Sequence, residues 1–188
     1  MAQHFHLTAK DVLSTRHDAL VSVCGRGDLE MLKWLAARFF LTEPVLREKD
    51  DEALRLAAGI GHHDVVGWLA EKYKKPLDRW RGAQALSPAL ENGHLEIAQT
   101  MVDKKIVSID GQDSFSRQLI VAALFKPACK AGRLAAAEWV ADRFGLGAGD
   151  VSDPLIMLSA LASGRPEVVQ WLTGRFGLAP PSRLLAPL

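Results

Sequence analysis

The sequence predicts an all-α solenoid: about five helix-turn-helix repeats behind a partial N-terminal repeat or cap. Three observations carry that expectation. The stretch Gly27-Asp28-Leu29-Glu30-Met31-Leu32-Lys33-Trp34-Leu35-Ala36 returns from Gly61, Gly93, Gly132 and Gly164, and the glycines step by 34, 32, 39 and 32 residues. A period of that length marks stacked units sharing one continuous core. Four of the five tryptophans (Trp34, Trp68, Trp139, Trp171) stand seven residues after the glycine. Finally, the apolar positions on both sides of the glycine keep helical spacing.

Seven residues before the glycine stand Leu20, Leu54, Leu86, Phe125 and Met157. Four before it stand Val23, Ala57, Ala89, Ala128 and Ala160, and three before it Cys24, Ala58, Leu90, Cys129 and Leu161. These positions share one helix face, and their small residues let a neighbouring helix come close. After the glycine the apolar residues fall at +4, +5, +7 and +8, a second amphipathic helix. Acids at +3 (Glu30, Asp64, Glu96, Glu167) lie in that helix's first turn, where its dipole favours negative charge. An aromatic follows at +12 as Phe39, Tyr73, Phe144 and Phe176.

In chain order, residues 1–16 form the expected N-terminal cap. Phe5-His6-Leu7 resembles the Phe-Gly-Leu end of a repeat: either a cap evolved from one, or the trace of a longer array. Ala9 to Arg16 is expected as a short helix, with Thr8 as its cap. Repeats are expected over residues 17–42, 50–76, 82–106, 121–147 and 153–179, with a tail at 180–188 in which Leu184 and Leu185 could fold back as a cap. In the first connector Thr42 is a candidate cap and Pro44 fits a first turn. The run Glu48-Lys49-Asp50-Asp51-Glu52 reads as a solvated lead-in to the second inner helix. The second connector holds Arg79-Trp80-Arg81, residue types enriched in binding hot spots. Trp80 there is either part of a recognition finger or a cover over the gap between repeats.

The third unit is irregular. Thr100 replaces its tryptophan and Lys105 its aromatic. A buried aromatic removes about 150–250 Å² from water, worth ~4–6 kcal/mol, so the third outer helix is expected to be the weakest. The longest interval follows, with Asp110-Gly111 as a hairpin signal or loop and Ser116 to Phe125 as an added helical turn. Pro127 falls within the apolar stripe, so the fourth inner helix should be short or kinked. Pro88 and Pro154 are expected near the starts of their helices.

The Gly93-His94-Leu95-Glu96 turn, the small-residue inner helices and the apolar outer helices together resemble the ankyrin repeat family. The recurring Trp-Leu and Phe-Gly-Leu resemble a divergent subgroup found in large protist and giant-virus arrays. The Thr-Pro-Leu-His opening of the family is absent from every copy, and most connectors lack Asp-Gly hairpin signals. The resemblance implies an ankyrin-type α-solenoid spanning residues 1–188 as a single domain. It also implies that positions –6, –2 and –1 face the concave side, including Arg26, Arg55, Glu91, Asn92, Lys126 and Lys130. His62 and His94 fall at the family's turn position, where a local hydrogen bond is expected.

Lys and Arg number 23 against 22 Asp and Glu, a net charge of +1. That balance points to neither a polyanion nor a membrane surface. Cys24 and Cys129 share one repeat position three units apart, about 25–30 Å at normal layer spacing. A disulfide needs Cα atoms within about 7 Å, so both are expected reduced and buried. No leader or membrane span is expected. There is no Gly-x-Ser-x-Gly, His-Glu-x-x-His or Cys-x-x-Cys motif, and Gly145-Leu146-Gly147-Ala148-Gly149 follows a helix instead of a strand. His4, His6, His62, His63 and His94 sit on different units, so no metal site is expected. Neither catalytic residues nor a cofactor are expected.

These readings converge on a non-enzymatic, intracellular (cytoplasmic or nuclear) protein-interaction module, a scaffold or adapter acting as a monomer. Its expected partner-binding residues are Arg26, Arg55, Arg79, Trp80, Arg81, Glu91, Asn92, Lys126 and Lys130. A structural spacer or self-associating array is the first alternative. A small-molecule or enzyme site at the third repeat is the second. A nucleic-acid partner is not expected.

Overall fold

The computed structural model describes residues 9–107 and 113–179, with side chains from residue 17 onward. All regular structure among them is helical. The helices are α1 (Ala9–Arg26), α2 (Leu29–Phe39), α3 (Glu43–Leu46), α4 (Glu48–Ile60), α5 (His63–Lys72), α6 (Arg79–Asn92) and α7 (Leu95–Asp103). After the next connector come α8 (Ser114–Ile120), a π-helical turn (Val121–Phe125), α9 (Lys126–Lys130), α10 (Leu134–Phe144), α11 (Pro154–Ala162) and α12 (Pro166–Phe176). An inner layer of α1, α4, α6, α9 and α11 stacks in sequence, and each inner helix turns back into an outer one: α2, α5, α7, α10 or α12. This is the expected solenoid.

The core is the shared stripe that the repeat pattern marks. Leu20, Leu54, Leu86, Phe125 and Met157 are buried, as are the small residues at –4. Leu161 is the exception at –3: it is exposed, because no described helix stacks on the far side of α11. The turn glycines adopt φ between +68° and +103°, a left-handed conformation that closes each inner helix and that a side chain disfavours. Trp34, Trp139 and Trp171 each meet the aromatic five residues on, edge to face, at centroid separations of 6.3, 6.2 and 5.4 Å. Trp171 also leans on Phe125 of the preceding unit. These tryptophans are half-buried or exposed, not sealed in the core, so full aromatic burial overstates their worth.

Several sequence expectations are corrected. Helix α1 is continuous, so the separate Ala9 to Arg16 helix does not exist; nothing between residues 9 and 24 is Gly or Pro to break it. Pro88 lies inside α6, not near its start. Gly59 of α4 leaves room for its ring between the helices: a Cβ on Gly59 would come within 2.9 Å of the Pro88 Cβ. Pro127 lies just after the π turn, where the Lys126 amide reaches back to the Val121 carbonyl. The wider turn absorbs the backbone bond that proline cannot make. The third outer helix, α7, has nine residues and is the shortest of its layer.

Charge run 48–52 is not wholly solvated. Lys49, Asp50 and Asp51 adopt consecutive left-handed conformations with φ of 49°, 56° and 58°. That turn carries Asp51 fully inside. At the connectors, a parallel bridge joins Leu77 to Val107, with the Leu77 amide 2.6 Å from the Ile106 carbonyl. The Asp110-Gly111 signal, His4, His6 and the tail with Leu184 and Leu185 lie outside the described residues.

Candidate partner-binding surface

Stacking inner helices three to four turns long leaves a groove wherever two of them fail to interdigitate fully. Among the described residues, two grooves stand out on the inner layer. The first, about 390 Å³, lies between α4 and α6 and is lined by Lys49, Glu52, Arg55, Leu56, Gly59, Ile60, Pro88 and Asn92. The second, about 650 Å³, runs across α6, α9 and α11 past Glu91, Lys126, Pro127, Lys130 and Ser159. The expected site residues therefore divide. Arg55 and Asn92 share the first groove; Glu91, Lys126 and Lys130 share the second. Arg26 is exposed at the end of α1.

Arg79, Trp80 and Arg81 lie elsewhere, in the first turn of α6. Glu91 and Asn92 end the same helix, about 20 Å away at 1.5 Å per residue. Trp80 is 58% exposed. Its neighbours are held by their own chain. Arg79 pairs with Asp113 at 2.7 Å and donates to the Ser116 hydroxyl at 2.9 Å. Arg81 reaches Asp51 at 2.8 Å and donates to the Arg47 carbonyl at 3.1 Å.

The buried polar group around Asp51 went unread in the sequence. Burial raises the Asp51 carboxyl above its usual range, against the opposing pull of the Tyr73 hydroxyl, Arg81 and Arg47. Arg47 lies over the Tyr73 ring and also pairs with Glu43. Asp113, by contrast, is held below its usual range by the backbone amide and hydroxyl of Ser116, with Arg79 adding to the effect. The signal was present: opposite charges one repeat period apart. Arg79 and Asp113 are 34 residues apart, Arg117 and Asp150 are 33, and Arg175 and Asp142 are 33. Each pair ties one unit to the next.

The turn edge carries a second ladder. His62 lies 3.0 Å from the Gly25 carbonyl, and Arg133 donates to the Glu91 carbonyl at 3.1 Å. His94 and Arg165 pack over Gly61 and Gly132 in the same way. The residue after each of the later four turn glycines thus reaches back to the preceding repeat, whereas Asp28 after Gly27 caps its own helix; the hydrogen bond expected at His62 is between units and not local. His63 meets Thr100 at 3.0 Å, the threonine that replaces the third tryptophan.

Cys24 and Cys129 are buried free thiols, and burial pushes both up to about 12. Among the described residues no group of three His, Cys, Asp or Glu is placed to hold a metal ion, and no helix is long and apolar enough to cross a membrane. A family model described as ankyrin repeats (3 copies) matches residues 19–113, half of the chain. No curated protein matches it, and no solved structure does.

Proposed function

Because the chain belongs to the ankyrin repeat family, whose members are generally non-enzymatic protein-interaction modules, we propose that it binds a protein partner through its concave face. The observation that carries this reading is the pair of grooves between inner helices. Arg55 and Asn92 line the first, Glu91, Lys126 and Lys130 the second, and we take the two, together with Arg26, as one strip of positions –6, –2 and –1. Such a strip varies one repeat at a time without disturbing the core. Arg26, Arg55, Glu91, Asn92, Lys126 and Lys130 form its polar part. Arg79, Trp80 and Arg81, in the first turn of α6 and not on a connector, form a separate contact in which Trp80 supplies the exposed apolar surface and the two arginines, tied to Asp113 and Asp51, hold it in place. The module acts as an adapter or scaffold, as a monomer, in the cytoplasm or nucleus.

The test is site-specific photo-crosslinking. A benzophenone side chain at Asn92 or Lys130 (concave) or at Lys33 (outer layer) is exposed to nuclease-treated source-cell lysate. Adducts with one protein from the concave sites alone are expected. Adducts from Lys33 alone, or from all three equally, would move the contact off the inner helices.

One observation favours a second reading, end-to-end self-association. Leu155, Leu158 and Leu161 are exposed along α11, on the far side from α9, whereas the –3 residues of the other four units are buried. A second copy stacking there would continue the interface that joins the units inside the chain. Light scattering decides: a mass that climbs with concentration and reverts in Leu158→Glu supports it, and a constant monomer mass removes it.

A further inference from the structure

Every junction between two units buries the same repeat positions, and the ends of the stack show which side each one faces. At +4 from the turn glycine four units bury their residue, whereas Met31 of the first unit is 41% exposed. At –8 Ala19 of the first unit is half-buried and the other four are sealed. At –3 the exception is the last unit, with Leu161 36% exposed, and at +5 it is again the last, with Val169 half-buried. Positions –8 and +4 therefore face the preceding unit, and –3 and +5 the following one. Among the described residues two half-junctions stay open, one before the first unit and one after the fifth. Both are apolar. Helix α11 runs nine residues without a charged side chain, and Leu155 and Leu158 extend the exposed row from Leu161. A helix that is apolar on every side is one that is covered. At the other end Trp34 is 56% exposed, while the three other tryptophans at its repeat position are half-buried. Trp171 leans on Phe125 of the unit before it, a support that Trp34 lacks among the described residues.

We infer that the surface which covers α11 and α12 is the first unit of a second copy, stacked head to tail as the next repeat. This rests on the self-association reading above and deepens it by naming the face that arrives. The two open faces are the two halves of one interface that the chain already builds between its own units. Their register follows from the internal junctions. Position –2 faces –5 of the next unit, as Gly25 faces Leu56 and Gly59 faces Pro88. Ala162 then meets Ser22 of the second copy, two small side chains that let the inner helices close. Position +2 meets +7 of the next unit: His63 lies 3.0 Å from Thr100, and Leu29 lines one groove with Trp68. Trp34 of the arriving copy lands on Pro166 in the same way. Leu161 and Val169 on one side, with Ala19 and Met31 on the other, complete the apolar layer. One rung is absent, because Asp28 caps its own helix where His62 and Arg133 reach back to a carbonyl of the preceding unit. The junction between copies is therefore weaker than those within the chain, and the dilute protein is a monomer. The interface is heterologous: each added copy brings a new open end, so growth does not stop at a dimer.

The experiment is sedimentation equilibrium over a range of concentrations on the full 188-residue chain, on Met31→Glu, on Leu161→Glu, and on an equimolar mixture of the two variants. Each variant is first checked for an unchanged circular dichroism spectrum, with Trp34→Ser and Leu158→Glu as the replacement pair if one is altered. The expected wild-type mass climbs with concentration past that of a dimer. Each variant alone stays monomeric, because it keeps one good face and has no good face to meet. The mixture forms a one-to-one dimer and nothing larger, since the intact end of Met31→Glu takes the intact start of Leu161→Glu. A wild type that stops at the dimer, or a Met31→Glu variant that still associates, would overturn the head-to-tail inference in favour of two α11 faces meeting, and leave self-association standing. A mixture that stays monomeric while the wild type associates would overturn it as well. A wild type that is monomeric at every concentration would overturn both the inference and the self-association reading, and assign the cover of α11 to residues 180–188 or to a different protein. The concave-face function stands in every case.

Discussion

Replacing Gly59 by alanine tests whether glycine sets the distance between the inner helices. In an unconstrained helix interior, Gly→Ala stabilises by about 0.8–1.0 kcal/mol, because alanine loses less backbone freedom on folding. Gly174 inside α12 meets this condition, since a Cβ there would have nothing within 4 Å. Gly59 does not: its Cβ would lie 2.9 Å from the Pro88 Cβ and 3.7 Å from the Asn92 Nδ2. The pyrrolidine ring cannot rotate away as a flexible side chain would, so α4 and α6 must part. Overpacking of this kind costs about 1–3 kcal/mol. Setting the propensity gain against that cost, Gly59→Ala should destabilise by about 1 kcal/mol, while Gly174→Ala should stabilise by about the same. Urea titration followed by circular dichroism measures both, comparing midpoints at a common slope. Equal stabilisation by the two substitutions would refute the claim that Gly59 holds α4 against Pro88. The groove lined by Arg55, Leu56 and Ile60 would then need another explanation for its shape.

Three further outcomes follow from the same geometry. The folded-state value of Asp51 is raised, so its contribution to stability is present below the ordinary carboxylate range and lost as pH rises through the folded value. Arg47 keeps Glu43 as a partner and Arg81 keeps the Arg47 carbonyl, so Asp51→Asn should stabilise at pH 7, with the gain shrinking as pH falls. A loss at pH 7 in urea titration would show that the carboxylate is needed there. Trp139 is half-buried, so Trp139→Ala should cost about 2–3 kcal/mol, below the 3–5 typical of a sealed aromatic. Trp80→Ala should stay within about 0.5 kcal/mol; equal losses would mean that Trp80 is core. Finally, a disulfide-exchange reagent at pH 8 should find no reactive thiol in the native protein and two after denaturation without reductant, because burial pushes Cys24 and Cys129 up to about 12; fewer than two in denaturant would indicate an oxidised pair.

What was legible in the sequence is what repetition writes five times. The stripe at –7 and –4, the turn glycines and the apolar outer helices were readable because each copy vouches for the others. What escaped was written once. Asp51 looked like one member of a charged run, and only the left-handed turn at Lys49, Asp50 and Asp51 takes it inside. Pro88 was read from its residue type alone, when its ring lies inside α6 and packs against a glycine 29 residues earlier. Arg79 and Arg81 looked like free hot-spot residues because their partners, Asp113 and Asp51, belong to neighbouring units. Comparing charges one period apart, and not only apolar positions, is the step that reaches such pairs.

The same comparison accounts for where the concave face opens. Position –2 of one repeat faces position –5 of the next: Gly25 faces Leu56, and Gly59 faces Pro88. At the following junctions Glu91 and Pro127, then Lys130 and Ser159, line one groove. Glycine at –2 in the first two units lets the inner helices close on each other. Glutamate and lysine stand at –2 in the next two, and the groove of about 650 Å³ that they line spans both junctions, against about 390 Å³ at the single α4–α6 junction. One repeat position therefore bears on both the approach of the inner helices, where it is glycine, and the charge lining the groove, where it is Glu91 or Lys130. A substitution there is expected to change binding and stability together.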